Sequence, residues 1–171
     1  MDRMASIELA IKNERVEMAF YTNEARRSKN PLAKQIFEML ARDEEEHERR
    51  IKGLYEKLVG GGQWPADVPI EVAGTSVKGF FKGFLRRAGT GEEHDDDDVA
   101  ALKKAIEFEA RGHDFYNKLA GACTNPMEKK FFGFLADIEH EHHASLVDAL
   151  AYLENPEDYM ARMGRGGLDG A

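Results

Sequence analysis

A single cysteine, Cys123, stands in this chain of 171 residues. One thiol cannot form an internal disulfide, and it cannot supply the paired Cys-x-x-Cys ligands of an iron or zinc module. A lone Cys reads as a small apolar residue on a helix. Long apolar runs are also missing: no stretch of about 18 residues is apolar enough to span a bilayer. The N-terminus, Met-Asp-Arg-Met-Ala-Ser, has no apolar core of the kind a secretion signal carries, so a cytoplasmic location is expected. Basic excess is lacking too. The net charge of −8 argues against nucleic acid as a partner, because phosphate binding draws on clustered Lys and Arg. The length suits one domain with a real core.

What is present is helical period. Residues from about 3 to 28 carry the stripe Ile7, Ile11, Glu14, Met18, Tyr21 and Ala25, which predicts a helix with an acid on its apolar face. Burying an unpaired acid is costly, so Glu14 has a use there. Asn30-Pro31 breaks the pattern and starts a second helix, about 31–58, since Asn caps well and Pro fits the first helical position. Its stripe is Leu40, Glu44, His47, Ile51, Leu54 and Leu58. A third helix, about 97–123, has Leu102, Ile106, Glu109, His113, Tyr116 and Ala120. Asn125-Pro126 starts a fourth, about 126–153, with Phe131, Leu135, Glu139, His142, Leu146, Ala149 and Leu153. Asn155-Pro156 stops it, and the Gly-rich tail 156–171 is expected to be mobile or laid on the surface.

Between the two helix pairs, residues 60–96 are rich in Gly and Pro, too long for a simple turn. Within them, the basic and aromatic segment 77–87 either touches a membrane or partner, or lays its phenylalanines on the bundle. The acidic run Glu92 to Asp98 reads as a helix start, where Asp meets free N–H groups.

Shifting residues 7–58 by 95 overlays them on 102–153 without a gap. Ala10/Ala105, Ile11/Ile106, Glu14/Glu109, Phe20/Phe115, Tyr21/Tyr116, Asn30/Asn125, Pro31/Pro126, Phe37/Phe132, Leu40/Leu135, Glu44/Glu139 and His47/His142 coincide. The chain is therefore two copies of one helical hairpin. A lone hairpin exposes its stripes, whereas two packed face to face bury them. The expected fold is all-α: an antiparallel four-helix bundle over residues 1–155, with a long crossover between helices two and three.

A pseudo-two-fold axis between the hairpins brings Glu14 opposite Glu109, and Glu44-x-x-His47 opposite Glu139-x-x-His142. Residues at i and i+3 share a helix face, so each pair presents a carboxylate beside an imidazole. Like charges in one buried site raise each other's pKa, and two divalent cations would balance the four Glu. The donors suit iron or manganese, and zinc is compatible. Ferritin-like di-iron bundles use this set: one Glu from each of two helices and Glu-x-x-His from each of the others. Glu45, Glu46, Glu48, His140, Glu141 and His143 read as solvated faces, and Asp43 lies beside the stripe. Tyr21 and Tyr116, two turns beyond Glu14 and Glu109, either hydrogen-bond the Glu ligands of the neighbouring helix or pack in the core. His113 is either an extra ligand on one side or a core histidine, the latter favoured.

The segments Ala-Ile-Lys-Asn-Glu14…Phe-Tyr21, Glu44-Glu-Glu-His47, Ala-Ile-Glu-Phe-Glu109…Phe-Tyr116 and Glu139-His-Glu-His142 resemble the rubrerythrin branch of the ferritin-like superfamily over about residues 3–155. The resemblance implies a non-haem centre of two iron ions. Glu44 and Glu139 would bridge, Glu14 and Glu109 would be terminal carboxylates, and His47 and His142 nitrogen ligands. It implies an oxidoreductase that reduces peroxide or oxygen, with iron binding and ferroxidase-type storage as the alternative, and usually a homodimer. The chain departs from the family in two places. It lacks the four cysteines of a rubredoxin-type domain, so electrons come from a separate donor. The family's further carboxylate, one turn past the third-helix Glu, is replaced by Gly112. Glu17, its counterpart in the first copy, either serves the site across the axis or stays in solvent.

Overall fold

The computed structural model describes residues 3–60, 64, 80, 83–84 and 96–166. Most of them lie in five helices: α1 (Arg3–Arg27), α2 (Pro31–Val59), α3 (Asp96–Ala122), α4 (Pro126–Glu154) and α5 (Pro156–Gly166). Among the described residues there is no strand. The corners form as the Asn-Pro pairs dictate. Asn30 is extended (φ −71°, ψ 124°), and its side chain accepts from the N–H groups of Leu32 and Ala33 at 2.9 and 3.1 Å. Asn125 repeats this (φ −79°, ψ 124°) with Met127 and Glu128 at 2.8 and 3.3 Å. Each Asn satisfies two of the four donors that a helix start leaves bare, and each Pro occupies a position whose N–H is not needed.

α1 packs on α2 and α3 on α4, giving two hairpins. Two polar ties fix their mutual direction. The Asn30 N–H donates to Asp98 Oδ2 at 2.9 Å, which sets the start of α3 against the first hairpin's corner. Arg3 Nε donates to Glu128 Oε2 at 3.2 Å, which sets the start of α1 against the second hairpin's corner. Arg3 and Asp98 are 95 residues apart, so both ties fall at equivalent places, and the hairpins run antiparallel about a pseudo-two-fold axis.

The apolar stripes meet in two separate clusters. One joins Tyr21, Phe37 and Leu40 of the first hairpin to Leu102, Leu146 and Tyr152 of the second. The other joins Ile7, Ile51 and Leu54 to Tyr116, Phe132 and Leu135. A shift of 95 exchanges most of these members. Each buried Leu, Ile or Phe contributes about 1.5–3 kcal/mol, and the clusters flank a central layer where the stripes turn polar.

Of the two expectations for the tail, its first part takes the second, as a further helix. Asn155-Pro156 ends α4 and also begins α5: the Asn155 side chain accepts from the Asp158 N–H at 3.1 Å. Tyr159 is buried, its ring edge-on to Tyr152 at 6.0 Å. Residues 156–166 are thus helical, and Tyr159 packs the helix on the bundle. Of the 77–87 segment, Phe80 and Phe84 lie half-buried on the first cluster, with Phe84 5.9 Å from Tyr152. Residues 77–79, 81–82 and 85–87 lie outside the described residues, as do 92–95 of the acidic run. Cys123 follows α3, partly buried on the second cluster, and donates to the Leu119 carbonyl at 3.1 Å. Burial, with Glu128 nearby, pushes its thiol up to about 11. Among the described residues, no helix is long and apolar enough to cross a membrane.

Candidate metal centre

The central layer holds the six residues singled out by the repeat. Glu14 projects from α1, Glu44 and His47 from α2, Glu109 from α3, and Glu139 and His142 from α4. All six are at most 1% exposed. His47 Nδ1 lies 2.8 Å from Glu44 Oε2 and 3.2 Å from Glu14 Oε2. His142 Nδ1 lies 3.2 Å from Glu44 Oε1 and 3.5 Å from Glu109 Oε2. The two imidazoles stack, with ring centroids 5.8 Å apart and planes 21° apart. Glu44 is therefore shared by two triads, Glu14–Glu44–His47 and Glu44–Glu109–His142. In each, one ligand atom per residue falls within 4.8 Å of the others.

Glu17 joins them. It is 2% exposed, and Glu14, Glu17, Glu44 and Glu139 bring carboxylate oxygens within 4.8 Å of one another. The solvated alternative for Glu17 is thus set aside. Its space comes from Gly112 on α3. A Cβ at position 112 would stand 3.0 Å from Glu139 Oε2 and 3.3 Å from Glu17 Oε1. The α1 carboxylate and a side chain at position 112 compete for one volume, and the chain fills it from α1.

Tyr116 on α3 donates to Glu14 Oε1, and Tyr21 on α1 donates to Glu109 Oε1. Each phenol crosses from its own hairpin to the buried α1 or α3 carboxylate of the other. Both tyrosines also stack in the flanking clusters, Tyr21 on Phe37 at 6.2 Å and Tyr116 on Phe132 at 6.5 Å. Asp43 lies with Oδ2 3.5 Å from His142 Nε2, on the side of that ring away from the carboxylates. Its counterpart by the shift of 95 is Ile138, so the centre is symmetric in its inner residues and asymmetric around them. His113 is neither at the centre nor in the core. Its side chain is 36% exposed and its ring lies 5.6 Å from that of His140. Glu45, His140 and Glu141 face solvent, while Glu46 and Glu48 pair with Arg50 and Arg15.

The donors fit a pair of divalent cations. Buried polar atoms are normally hydrogen-bonded. Here Glu17 Oε2, Glu44 Oε1, Glu109 Oε2, both Glu139 oxygens, His47 Nε2 and both His142 nitrogens carry no hydrogen bond. In the metal-free chain, protons take the place of cations. Burial raises Glu14 to about 7, a rise moderated by its His47 contact. Burial and neighbouring carboxylates hold Glu17 and Glu139 well above the usual range. Burial works against charge on His47, yet Glu44 and Glu14 raise it to about 10. His142 is likewise raised well above its ordinary value, by Glu109 and Glu44 against the effect of burial. Burial also acts on Glu44, but the two imidazoles outweigh it and hold this carboxylate below the usual range. Burial first, then the carboxylates, push both phenols up, so they keep their protons.

A four-helix bundle of two hairpins, with one buried Glu from each of two helices and Glu-x-x-His from each of the other two, is the arrangement of the ferritin-like class. The rubrerythrin family model matches the chain twice, over residues 6–72 and 100–166, once per hairpin. The chain belongs to the rubrerythrin family. A hypothetical protein from Pyrococcus furiosus shares the fold at 22% identity, with a TM-score of 0.64 over 92% of this chain and 93% of that one. No curated protein matches significantly.

Proposed function

We propose that this protein is a non-haem di-iron oxidoreductase that reduces hydrogen peroxide or dioxygen with electrons from a separate donor protein. The observation that carries this reading is the Glu44 carboxylate shared by two buried His-containing triads. Glu44 and Glu139 would bridge the ions. Glu14 with His47, and Glu109 with His142, would complete the two ends, and Glu17 would add a seventh donor. Iron held by these residues would supply the electrons for reductive cleavage of an O–O bond.

The chain's own groups do the rest. Tyr116 holds a proton on Glu14 Oε1 and Tyr21 holds one on Glu109 Oε1, so each phenol fixes which carboxylate oxygen is left for metal. Reducing peroxide to two waters also takes two protons, and the two phenols bear protons at the edge of the centre. Asp43 beside Nε2 of His142 orients that ring with Nδ1 inward. The flanking apolar clusters keep bulk water out, which strengthens every electrostatic contact inside. We propose a cytoplasmic homodimer as the working form.

The test is single-turnover oxidation. The chain, loaded anaerobically with Fe(II), is mixed with one equivalent of hydrogen peroxide. Oxidation faster than that of the same iron without protein is expected. An equal rate removes the peroxide reading, and a large cage that accumulates ferric mineral would support storage instead.

A further inference from the structure

Half of the chain's six histidines gather outside the centre. His113 on α3, with His140 and His143 on α4, lines a solvent-facing pocket of about 170 Å³ together with Asp114 and Ala110. His140 and His143 are three residues apart, the spacing at which two helical side chains share a face. His113 meets them from the neighbouring helix, its ring centroid 5.6 Å from that of His140 and the planes 45° apart. Two imidazoles on one tetrahedral ion, with metal–nitrogen bonds of about 2.0–2.1 Å, place their centroids at a comparable separation. On its own helix, His113 is steadied by Asn117 Nδ2, 2.9 Å from its Nε2, and by Asp114 Oδ1, 3.8 Å from its Nδ1.

The duplication shows that the bundle does not need this group. The counterparts of His113, Asp114, His140 and His143 in the first hairpin are Met18, Ala19, Glu45 and Glu48. The first hairpin makes the same fold without any of them. Three imidazoles and a carboxylate lining one pocket are donors of the kind a first-row divalent ion takes, and imidazole in particular suits zinc, copper and nickel; their donor atoms stand further apart than those of the centre, and the solvent-facing side chains would close on the ion by rotation.

We propose that this pocket is a second metal site, distinct from the bundle interior, which binds one divalent cation of the zinc class. His113, His140 and His143 are its ligands, and Asp114 supplies the balancing carboxylate. The site does not depend on the di-iron reading. His140 and His143 directly follow Glu139 and His142 in sequence but project from another side of α4, since neighbouring helical residues do not share a face.

Zn²⁺ itself is the probe, titrated into the full chain and followed by calorimetry and by the ring resonances of the histidines. Beside the equivalents that the centre takes up, one saturable equivalent is expected that shifts His113, His140 and His143 together. His113→Ala and His140→Ala should each weaken it at least about 10-fold, the loss that even an outer partner of a metal ligand causes. Both side chains are at or near the surface, and unchanged thermal melting of the metal-free variants checks that the fold is intact. The equivalent should persist in a Glu44→Ala/Glu139→Ala chain. Persistence in a chain that holds no iron supports the outer site while failing the di-iron reading, so the two are separable. Unaltered binding in His113→Ala and His140→Ala overturns the proposal. So does a Zn²⁺ equivalent that moves none of the three rings.

Discussion

Glu17 and Gly112 occupy equivalent positions in the two hairpins, and the difference between them decides how many carboxylates the centre holds. Glu17 Oε1 accepts from Asn13 Nδ2 at 3.0 Å, while Oε2 has no partner. Glu17→Gln keeps the volume and removes the charge. It is expected to weaken metal binding at the centre about 10-fold or more, on the scale of losing a group that supports a metal site. Glu45→Gln, on the wet face of α2, should change nothing; equal effects of the two would put Glu17 outside the centre. Tyr21→Phe and Tyr116→Phe should each keep the full metal content. Each should slow oxidation of the ferrous chain by peroxide by roughly 10²-fold, the usual yield of one positioned proton donor. Unchanged rates would leave the phenols a purely structural task. The six repeated residues could be read from sequence because each acid and imidazole falls on an apolar stripe twice at one offset. Glu17 could not. A stripe drawn through Met18 passes beside it, although Glu17, three residues past Glu14, is on the buried face of α1, and the shift aligns it with a glycine, so its role depends on the volume that Gly112 leaves across the bundle. His113 was misjudged for the converse reason. Its place in a four-residue spacing from Glu109 suggests the core, but the buried position of that turn of α3 is Gly112, beside it.

At the scale of elements, the Asn-Pro pairs organise the chain. Asn30→Ala and Asn125→Ala should each cost about 1 kcal/mol, measured as a fall in the urea midpoint. The boundaries of the four long helices were readable to about a residue, because a cap and a proline mark where α2 and α4 begin. The fifth helix was missed although Asn155-Pro156 carries the same signal. Following directly on a helix, the pair reads as a stop, and nothing in 156–166 advertises the burial of Tyr159, which depends on where Tyr152 lies on α4. Tyr159→Ala should therefore cost about 3 kcal/mol, as expected for truncating a packed aromatic side chain. A cost near zero would mean that α5 does not dock on the bundle in solution. Phe80 and Phe84 likewise contact the first cluster through three-dimensional placement, which the basic-aromatic pattern of 77–87 left open between a membrane and the bundle.

Over the whole molecule, duplication places a highly charged layer between two apolar clusters, and this sets how stability responds to pH and metal. In the metal-free chain, Glu14 is raised from 4.5 to about 7, and Glu17 and Glu139 are raised well above 4.5. The folded state thus holds protons that the unfolded state releases, and stability falls as pH rises above the ordinary carboxylate range. His47, raised from 6.5 to about 10, acts in the same sense: its contribution is complete below 6.5 and is lost as pH rises through 10. Glu44 acts oppositely, losing its contribution only in acid as pH falls below 4.5. The metal-free protein should therefore melt at a higher temperature near about pH 6 than near about pH 8.5. Saturating divalent metal should flatten this dependence, because cations then replace the protons. A metal-free melting temperature that climbs over this range would contradict the electrostatic picture of the layer. The most direct measurement is the identity and number of metal ions in anaerobically purified full-length chain, beside the Glu44→Ala/Glu139→Ala variant. Two irons per chain in the wild type and none held tightly in the double variant are expected; retention of both ions by the double variant would contradict a centre bridged by Glu44 and Glu139.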